Sequence, residues 1–308
     1  MTKAYGQLLR WGLVGLTIVL VAVLAGLPPQ VIFWGEGLLA GGVFFPTAIG
    51  LVLLWAFSSR DQRGDLDKRV GLTLGGHPVH IELAWLMTAL LCFLGGTIGL
   101  SRLFAMVLPP ALFVTAMPVV RFVFLFAMPI LFTDRAGRTL RRHGAGMQNL
   151  AMNVTERWRW MGAVPVLCCL GLTAASAYPV DEPLPDAPSP AALIATVLVA
   201  FIAIAVPEEV FFRAMLQTRL EQVAGRWPAI LLTSCVFAFT YAVLNDYVEL
   251  TPLPPQFSEN LPAALETYGV FGLLLGYMWV CYRNIWLNIV LRGSLITLLV
   301  APTVRLVT

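Results

Sequence analysis

Charged side chains are scarce in this sequence, and their scarcity restricts the class of protein. Only 12% of the 308 residues are Asp, Glu, Lys or Arg, whereas 58% are hydrophobic, and the mean hydropathy is +0.81. A soluble domain carries about twice that charged fraction. The sequence has no long polar block from which a large soluble domain could form. The formal net charge is only +3, and the basic residues lie between apolar runs, so we expect no nucleic-acid partner.

Histidine is almost absent, and the cysteines lack the spacing of a metal site. The histidines are His77, His80 and His143. The segment HPVH holds two of them without a nearby acid or cysteine, which makes a poor metal site. The five cysteines lie in apolar segments with no CxxC or CxxH spacing. We therefore expect no metal, no cofactor and no disulfide scaffold, and we interpret the cysteines as small packing residues.

Long hydrophobic runs dominate the chain. A spanning helix needs about 20 mostly apolar residues. Nine runs qualify: 9–27, 31–57, 81–101, 104–133, 161–178, 191–207, 227–245, 267–282 and 285–304. The predicted fold class is all-α, a polytopic transmembrane bundle of about eight or nine spanning helices. A proline-rich external loop, 179–190, separates an N-terminal five-helix membrane region, 1–178, from a C-terminal membrane domain, 191–308.

The positions of Lys and Arg predict the orientation. The segments 58–69 and 134–160, which we predict to be loops, are rich in basic residues, whereas 179–190 and 246–267 carry acids and prolines but neither Lys nor Arg. The positive-inside rule places the first two in the cytoplasm and the other two outside. The first run, 9–27, is interpreted as an uncleaved helix because another apolar run follows it directly. We expect a multi-pass protein of the cell inner (plasma) membrane with a cytoplasmic N-terminus.

Two adjacent acids interrupt the apolar pattern in PEEVFFRAMLQ, residues 207–217. Residues four apart share one helix face, so Glu209 and Arg213 can pair. Glu208 is rotated by about 100° from Glu209 and is left free of that pair. We expect all three at the cytoplasmic end of the sixth helix. Glu208 is then either a base facing a wet cavity or, with its neighbours, part of an ordinary charged helix end at the membrane surface.

The segment AVPEEVFFRAMLQTRL resembles the EExxxR motif of the CPBP family, the CAAX-type intramembrane glutamic endopeptidases and the bacteriocin-processing and self-immunity proteins. PAILLTSCVFAFTYAVL resembles that family's SxxFxxxH helix, and RNIWLNIVLRGSLI resembles its HxxxN helix. The resemblance covers about 190–300. It implies that the first glutamate activates water, while two histidines and an asparagine bind that water and stabilise the oxyanion.

Three polar positions of the family are changed in this chain. Tyr241 and Arg292 stand at the histidine positions, and Ile296 stands at the asparagine position. Arg292 cannot shuttle protons near neutral pH, and beside Glu208 it would form an ion pair that makes the carboxylate a poorer base. If the protein is active, the resemblance implies these catalytic residues: Glu208, Glu209, Arg213, Tyr241 and Arg292.

The altered motifs favour a catalytically degenerate relative that binds a membrane segment or a partner protein without cutting it. One alternative is an active intramembrane endopeptidase that uses Glu208, with Tyr241 and Arg292 as substitute hydrogen-bond donors. Another is an accessory subunit of a larger membrane complex. The expected partners are the lipid bilayer and a membrane protein or peptide.

Two further charges lie in apolar runs and are left open. Arg121 sits within MPVVRFVFLF, where a lone charge is costly. It either faces the bundle interior, a partner or a lipid headgroup, or it snorkels or marks a break near Pro118. Glu36 is interpreted as interfacial, near the outer end of VIFWGEGLLAGG.

Overall fold

The computed structural model describes residues 43–75, 78–107, 119–135, 160–177, 189–248 and 257–300, and the regular structure in these ranges is entirely helical. The helices are α1 (Phe45–Phe57), α2 (Arg60–Thr73), α3 (Val79–Val107), α4 (119–135), α5 (Ala163–Ala177), α6 (Pro190–Ala224), α7 (Arg226–Val248), α8 (257–282) and α9 (Ile285–Val300). The all-α prediction is confirmed.

Eight of these helices are apolar. Helices α3, α6, α7 and α8 contain stretches long and apolar enough to cross a membrane, and α1, α4, α5 and α9 contain shorter apolar stretches. Many large apolar side chains are exposed on their outer faces, where they contact the lipid bilayer. The predicted run 9–27 lies outside the described residues, so the total of eight or nine spans stays a prediction.

Three clusters of buried apolar residues hold the helices together. Helices α3 and α4 pack against α6 and α7 around Phe93, Phe212 and Phe237. Helices α1 and α5 pack against α8 and α9 around Leu54 and Leu275. A smaller cluster centred on Trp279 joins α6, α8 and α9. Helices from both sides of segment 179–190 therefore share their cores, although the proposed domain boundaries themselves stay untested.

The prediction that segment 58–69 is a loop was wrong, because most of it forms the polar helix α2. The Ser59 side chain accepts a hydrogen bond from the Gln62 backbone N–H at 3.2 Å, and Asp61 lies in the first turn. Both features stabilise a helix N-terminus. A search for apolar runs cannot find such a helix. Arg63 on α2 donates to the Tyr277 hydroxyl at 2.8 Å, which anchors α2 to α8.

The prediction that the sixth helix ends near residue 207 was also wrong. Helix α6 continues through the acids to Ala224, and only Gly225, with φ of 91°, separates it from α7. Glycine adopts that conformation without steric cost. The charged residues did not mark a helix end because they are buried against other helices. Glu208 consequently lies near the midpoint of a 35-residue helix.

Close packing of α7 against α8 depends on a small residue at position 272. A Cβ atom added to Gly272 would lie 3.1 Å from Ser234 Cβ and 3.2 Å from Ser234 Cα. Because backbone is involved, the helices would have to separate. We expect Gly272→Val to lower the free energy of unfolding by about 1–3 kcal/mol, measured by denaturation in detergent micelles. Gly171→Val is the matched control, since nothing lies within 4 Å of a Cβ there. Equal losses in both variants would contradict the packing argument.

Candidate functional site

Helix α6 presents its acids to the interior of the bundle. Glu208 is 2% exposed, and Glu209 and Arg213 are fully buried. π-helical turns at Val199–Ala205 and Val210–Gln217 flank the acid pair. Such turns change which face of a helix a side chain occupies and are frequent at functional sites. Burial of two carboxylates in an apolar bundle requires partners that compensate their charge.

Both oxygens of Glu208 are engaged. The Tyr241 hydroxyl on α7 donates to Oε1 at 2.5 Å, and Arg292 Nη2 on α9 donates to Oε2 at 3.2 Å. Arg292 Nη2 also donates to the Tyr241 hydroxyl oxygen at 2.6 Å. The ion pair between Glu208 and Arg292 that the sequence predicts is therefore present. It belongs to a closed triangle of three side chains from three helices.

A third group on Glu208 comes from outside the motif helices. Arg121 on α4 places its Nε 3.4 Å from Glu208 Oε1. The sequence left several positions open for Arg121, and the structure supports the bundle interior. No local sequence pattern indicated this partner, because the two residues lie 87 positions apart along the chain.

Aromatic rings surround the Arg292 guanidinium. Its central carbon lies 5.2 Å from the ring centroids of Phe237 and Tyr241, 5.5 Å from Tyr268 and 5.9 Å from Phe271. Tyr241 and Tyr268 stack with their centroids 3.8 Å apart. Ring faces attract a cation electrostatically, and the attraction grows when water is excluded. The rings therefore help to hold a charged guanidinium inside the bundle.

Glu209 has a separate set of partners. Arg213 Nε lies 3.5 Å from Glu209 Oε2, which is the pairing predicted from their spacing. Asn288 on α9 donates through Nδ2 to the same oxygen at 3.2 Å and to the Leu275 carbonyl at 2.9 Å. Asn288 was missed by sequence reasoning. Its signal was a lone amide in an otherwise apolar stretch of α9.

The structure thus brings together all five predicted site residues and adds Arg121 and Asn288. Ile296 is half-buried. His80 lies exposed near the start of α3, while His77, His143 and Glu36 lie outside the described residues. Within the described ranges, no group of three His, Cys, Asp or Glu side chains is arranged to hold a metal ion.

The arrangement favours charge compensation over proton transfer. The donors that could polarise a substrate, the Tyr241 hydroxyl and Arg292 Nη2, already contact Glu208. A general base must reach the proton that it removes. Here the oxygens of the glutamate contact Tyr241, Arg292 and Arg121, and these contacts link helices α4, α6, α7 and α9.

These features define an α-helical membrane protein whose helices meet at a buried pair of glutamates. Residues 190–296 match the family model described as type II CAAX prenyl endopeptidase Rce1-like. The match covers about a third of the chain and confirms the resemblance to the CPBP family that the three motif helices indicated. The chain matches no curated protein at a significant level. It matches no solved structure at that level either.

Proposed function

We propose that this protein is a non-hydrolytic relative of the CAAX-type endopeptidases that binds a membrane segment or a partner protein. The observation that carries the proposal is the state of Glu208, whose two oxygens are held by Tyr241, Arg292 and Arg121. In a hydrolase of this type the glutamate would need to contact water and pass its proton on. Here the arginine at the histidine position remains charged and instead neutralises the glutamate.

An active endopeptidase is the main competing function. It would use Glu208 as the base, with Tyr241 and Arg292 donating to the developing oxyanion. That role requires the two donors to leave Glu208 when a substrate enters. Each step would break a buried hydrogen bond or ion pair, which opposes the change. An accessory subunit is the third possibility, and copurification with other membrane proteins at a fixed stoichiometry would distinguish it.

The proposed location is the cell inner (plasma) membrane, with the N-terminus in the cytoplasm. Support comes from the basic residues of α2, which follow the apolar helix α1 directly. Basic residues are enriched in short cytoplasmic segments. In this orientation α2 lies at the cytoplasmic surface, where Arg226 of α7 forms an ion pair with Asp67.

Comparison of protein N-termini in native membranes tests the proposal. The strains carry the wild-type chain, Glu208→Gln, or no chain. We expect identical sets of termini in all three, because Glu208 is committed to its ion pairs. The termini of the wild-type and deletion strains are compared first, because this comparison does not depend on the abundance of a variant. Termini that appear only with the wild type, and vanish in a Glu208→Gln strain of normal abundance, would establish an endopeptidase.

A further inference from the structure

The part of the candidate site that the structure describes contains more positive than negative charge. Among the described residues, the guanidinium groups of Arg121, Arg213 and Arg292 meet the two carboxylates of Glu208 and Glu209. Three cations against two anions leave a surplus of one positive charge. An uncompensated charge inside a membrane is costly and marks a functional contact by default. The surplus therefore calls for an anion.

Arg121 is the cation placed to receive that anion. Its side chain is 13% exposed, compared with 8% for Arg292 and 0% for Arg213. Its contact with Glu208 is to Oε1, the oxygen that already accepts the short hydrogen bond from Tyr241. Arg213 and Arg292 are enclosed by other helices, whereas Arg121 lies at the edge of the site.

The surface beside Arg121 faces the bilayer. Its neighbours Val119, Phe122 and Val123 are all exposed large apolar residues. Arg121 therefore lies at the border between the buried glutamate and the lipid-facing side of α4. Among the described residues, the other sides of the site are packed against α6, α7 and α9, so an anion carried within the plane of the membrane can approach Arg121 along the exposed face of α4.

The depth of the site in the membrane indicates which kind of molecule carries the anion. Glu208 lies near the midpoint of the 35-residue helix α6, and Arg121 on α4 lies beside it. Lipid phosphates lie outside the hydrocarbon core, which is about 30 Å thick. A carboxylate can reach the core when it is carried by a spanning helix, and acidic and basic residues in membranes pair with one another there.

We infer that Arg121 binds the carboxylate of an acidic residue within a partner's transmembrane helix, which lies against the exposed face of α4. This inference rests on the proposed binding function and adds the chemistry of the partner. The partner helix is apolar, as the exposed Val119, Phe122 and Val123 require, and carries an Asp or Glu near mid-membrane. Glu208 keeps its bonds to Arg292 and Tyr241, and the incoming carboxylate supplies the missing negative charge.

The test uses a synthetic leucine-rich spanning helix with one central Glu, and the same helix with Gln in its place. Each labelled helix is reconstituted with the full labelled chain in phosphatidylcholine vesicles, and association is measured by energy transfer. We expect the Glu helix to associate about tenfold more tightly, the effect of one charge-assisted bond. Arg121→Gln should remove the preference, and Arg121→Lys should retain part of it. Arg102→Gln, which removes an exposed arginine on α3, should leave the preference unchanged.

Each result of this experiment has a defined meaning. Equal association of the two helices, or no association of either, overturns the inference about the acidic partner. A preference that persists in Arg121→Gln overturns it as well. The measurement is repeated in vesicles that also contain the anionic lipid phosphatidylglycerol. If this lipid abolished the preference of the wild-type chain for the Glu helix, the anion bound by Arg121 would be a lipid headgroup, and the inference would be overturned. Cleavage of the peptide, detected by mass, would instead overturn the proposed non-hydrolytic function.

Discussion

Replacing Glu208 by Gln is expected to lower the free energy of unfolding by about 3–5 kcal/mol, the usual cost of breaking a buried ion pair from one side. Glu208 is the only acid that contacts both Arg121 and Arg292 among the described residues. The variant would leave one carboxylate, Glu209, for the three guanidinium groups of the site. Denaturation of the purified protein in detergent micelles, followed by tryptophan fluorescence, measures the loss.

A companion variant separates charge balance from simple loss of contacts. Arg292→Met also breaks the pair with Glu208, but it leaves two carboxylates for two arginines, Arg121 and Arg213. We therefore expect it to destabilise the protein less than Glu208→Gln. Arg102→Gln is the control for removing an exposed charge that is not part of this balance, and it should change little. A greater loss in Arg292→Met than in Glu208→Gln would show that the aromatic enclosure, and not the charge count, determines stability at this site.

The local part of the candidate site could be predicted from sequence because helical periodicity determines it. Residues four apart on one helix are neighbours whatever the rest of the fold does, so the pairing of Glu209 with Arg213 needed only their spacing. The pairing of Glu208 with Arg292 needed more. It followed from the order of the motif helices in a known family, which places positions 208 and 292 in one cavity.

The remaining contacts depend on tertiary packing that no local pattern encodes. Arg121 reaches Glu208 because α4 packs against α6, and nothing in MPVVRFVFLF indicates which helix it meets. Asn288 reaches Glu209 across the packing of α9 against α6. The error over the end of α6 has the same origin. The charged residues of α6 were expected to lie at a helix end near water. In the structure they lie inside the bundle, beside side chains of opposite charge.

Arg219 is another charged residue of α6 beyond the expected helix end. Its replacement is expected to have the second large effect on stability. Arg219 lies beyond residue 207, near which the sixth helix was expected to end, yet it is buried on α6. Its Nε donates to Glu82 Oε2 on α3 at 2.5 Å, and its Nη1 donates to the Met215 carbonyl at 3.1 Å. The pair joins the N-terminal helices to the region that resembles the endopeptidases.

We expect Arg219→Met to lower the free energy of unfolding by about 3–5 kcal/mol, because it leaves the buried Glu82 without its arginine. Unfolding in detergent micelles measures the change. The double variant Glu82→Met with Arg219→Met should recover most of the loss, since apolar residues of similar size often replace a buried ion pair without cost. The coupling energy of this double-mutant cycle isolates the interaction between the two side chains.

The matched control is an ion pair of the same kind at the surface. Lys68 lies 3.8 Å from Asp65 on α2, and both side chains are mostly exposed. Water and salt screen such a pair, so Lys68→Met should change stability little. If Arg219→Met lowered the free energy of unfolding as little as Lys68→Met, other groups would compensate the charge of Glu82. If the double variant were as unstable as Arg219→Met, the loss would come from the Arg219 contact with the Met215 carbonyl. In that case apolar contacts would hold α3 and α6 together without a contribution from the Glu82–Arg219 pair. Arg219 would then stabilise only α6 itself, through its bond to the Met215 carbonyl.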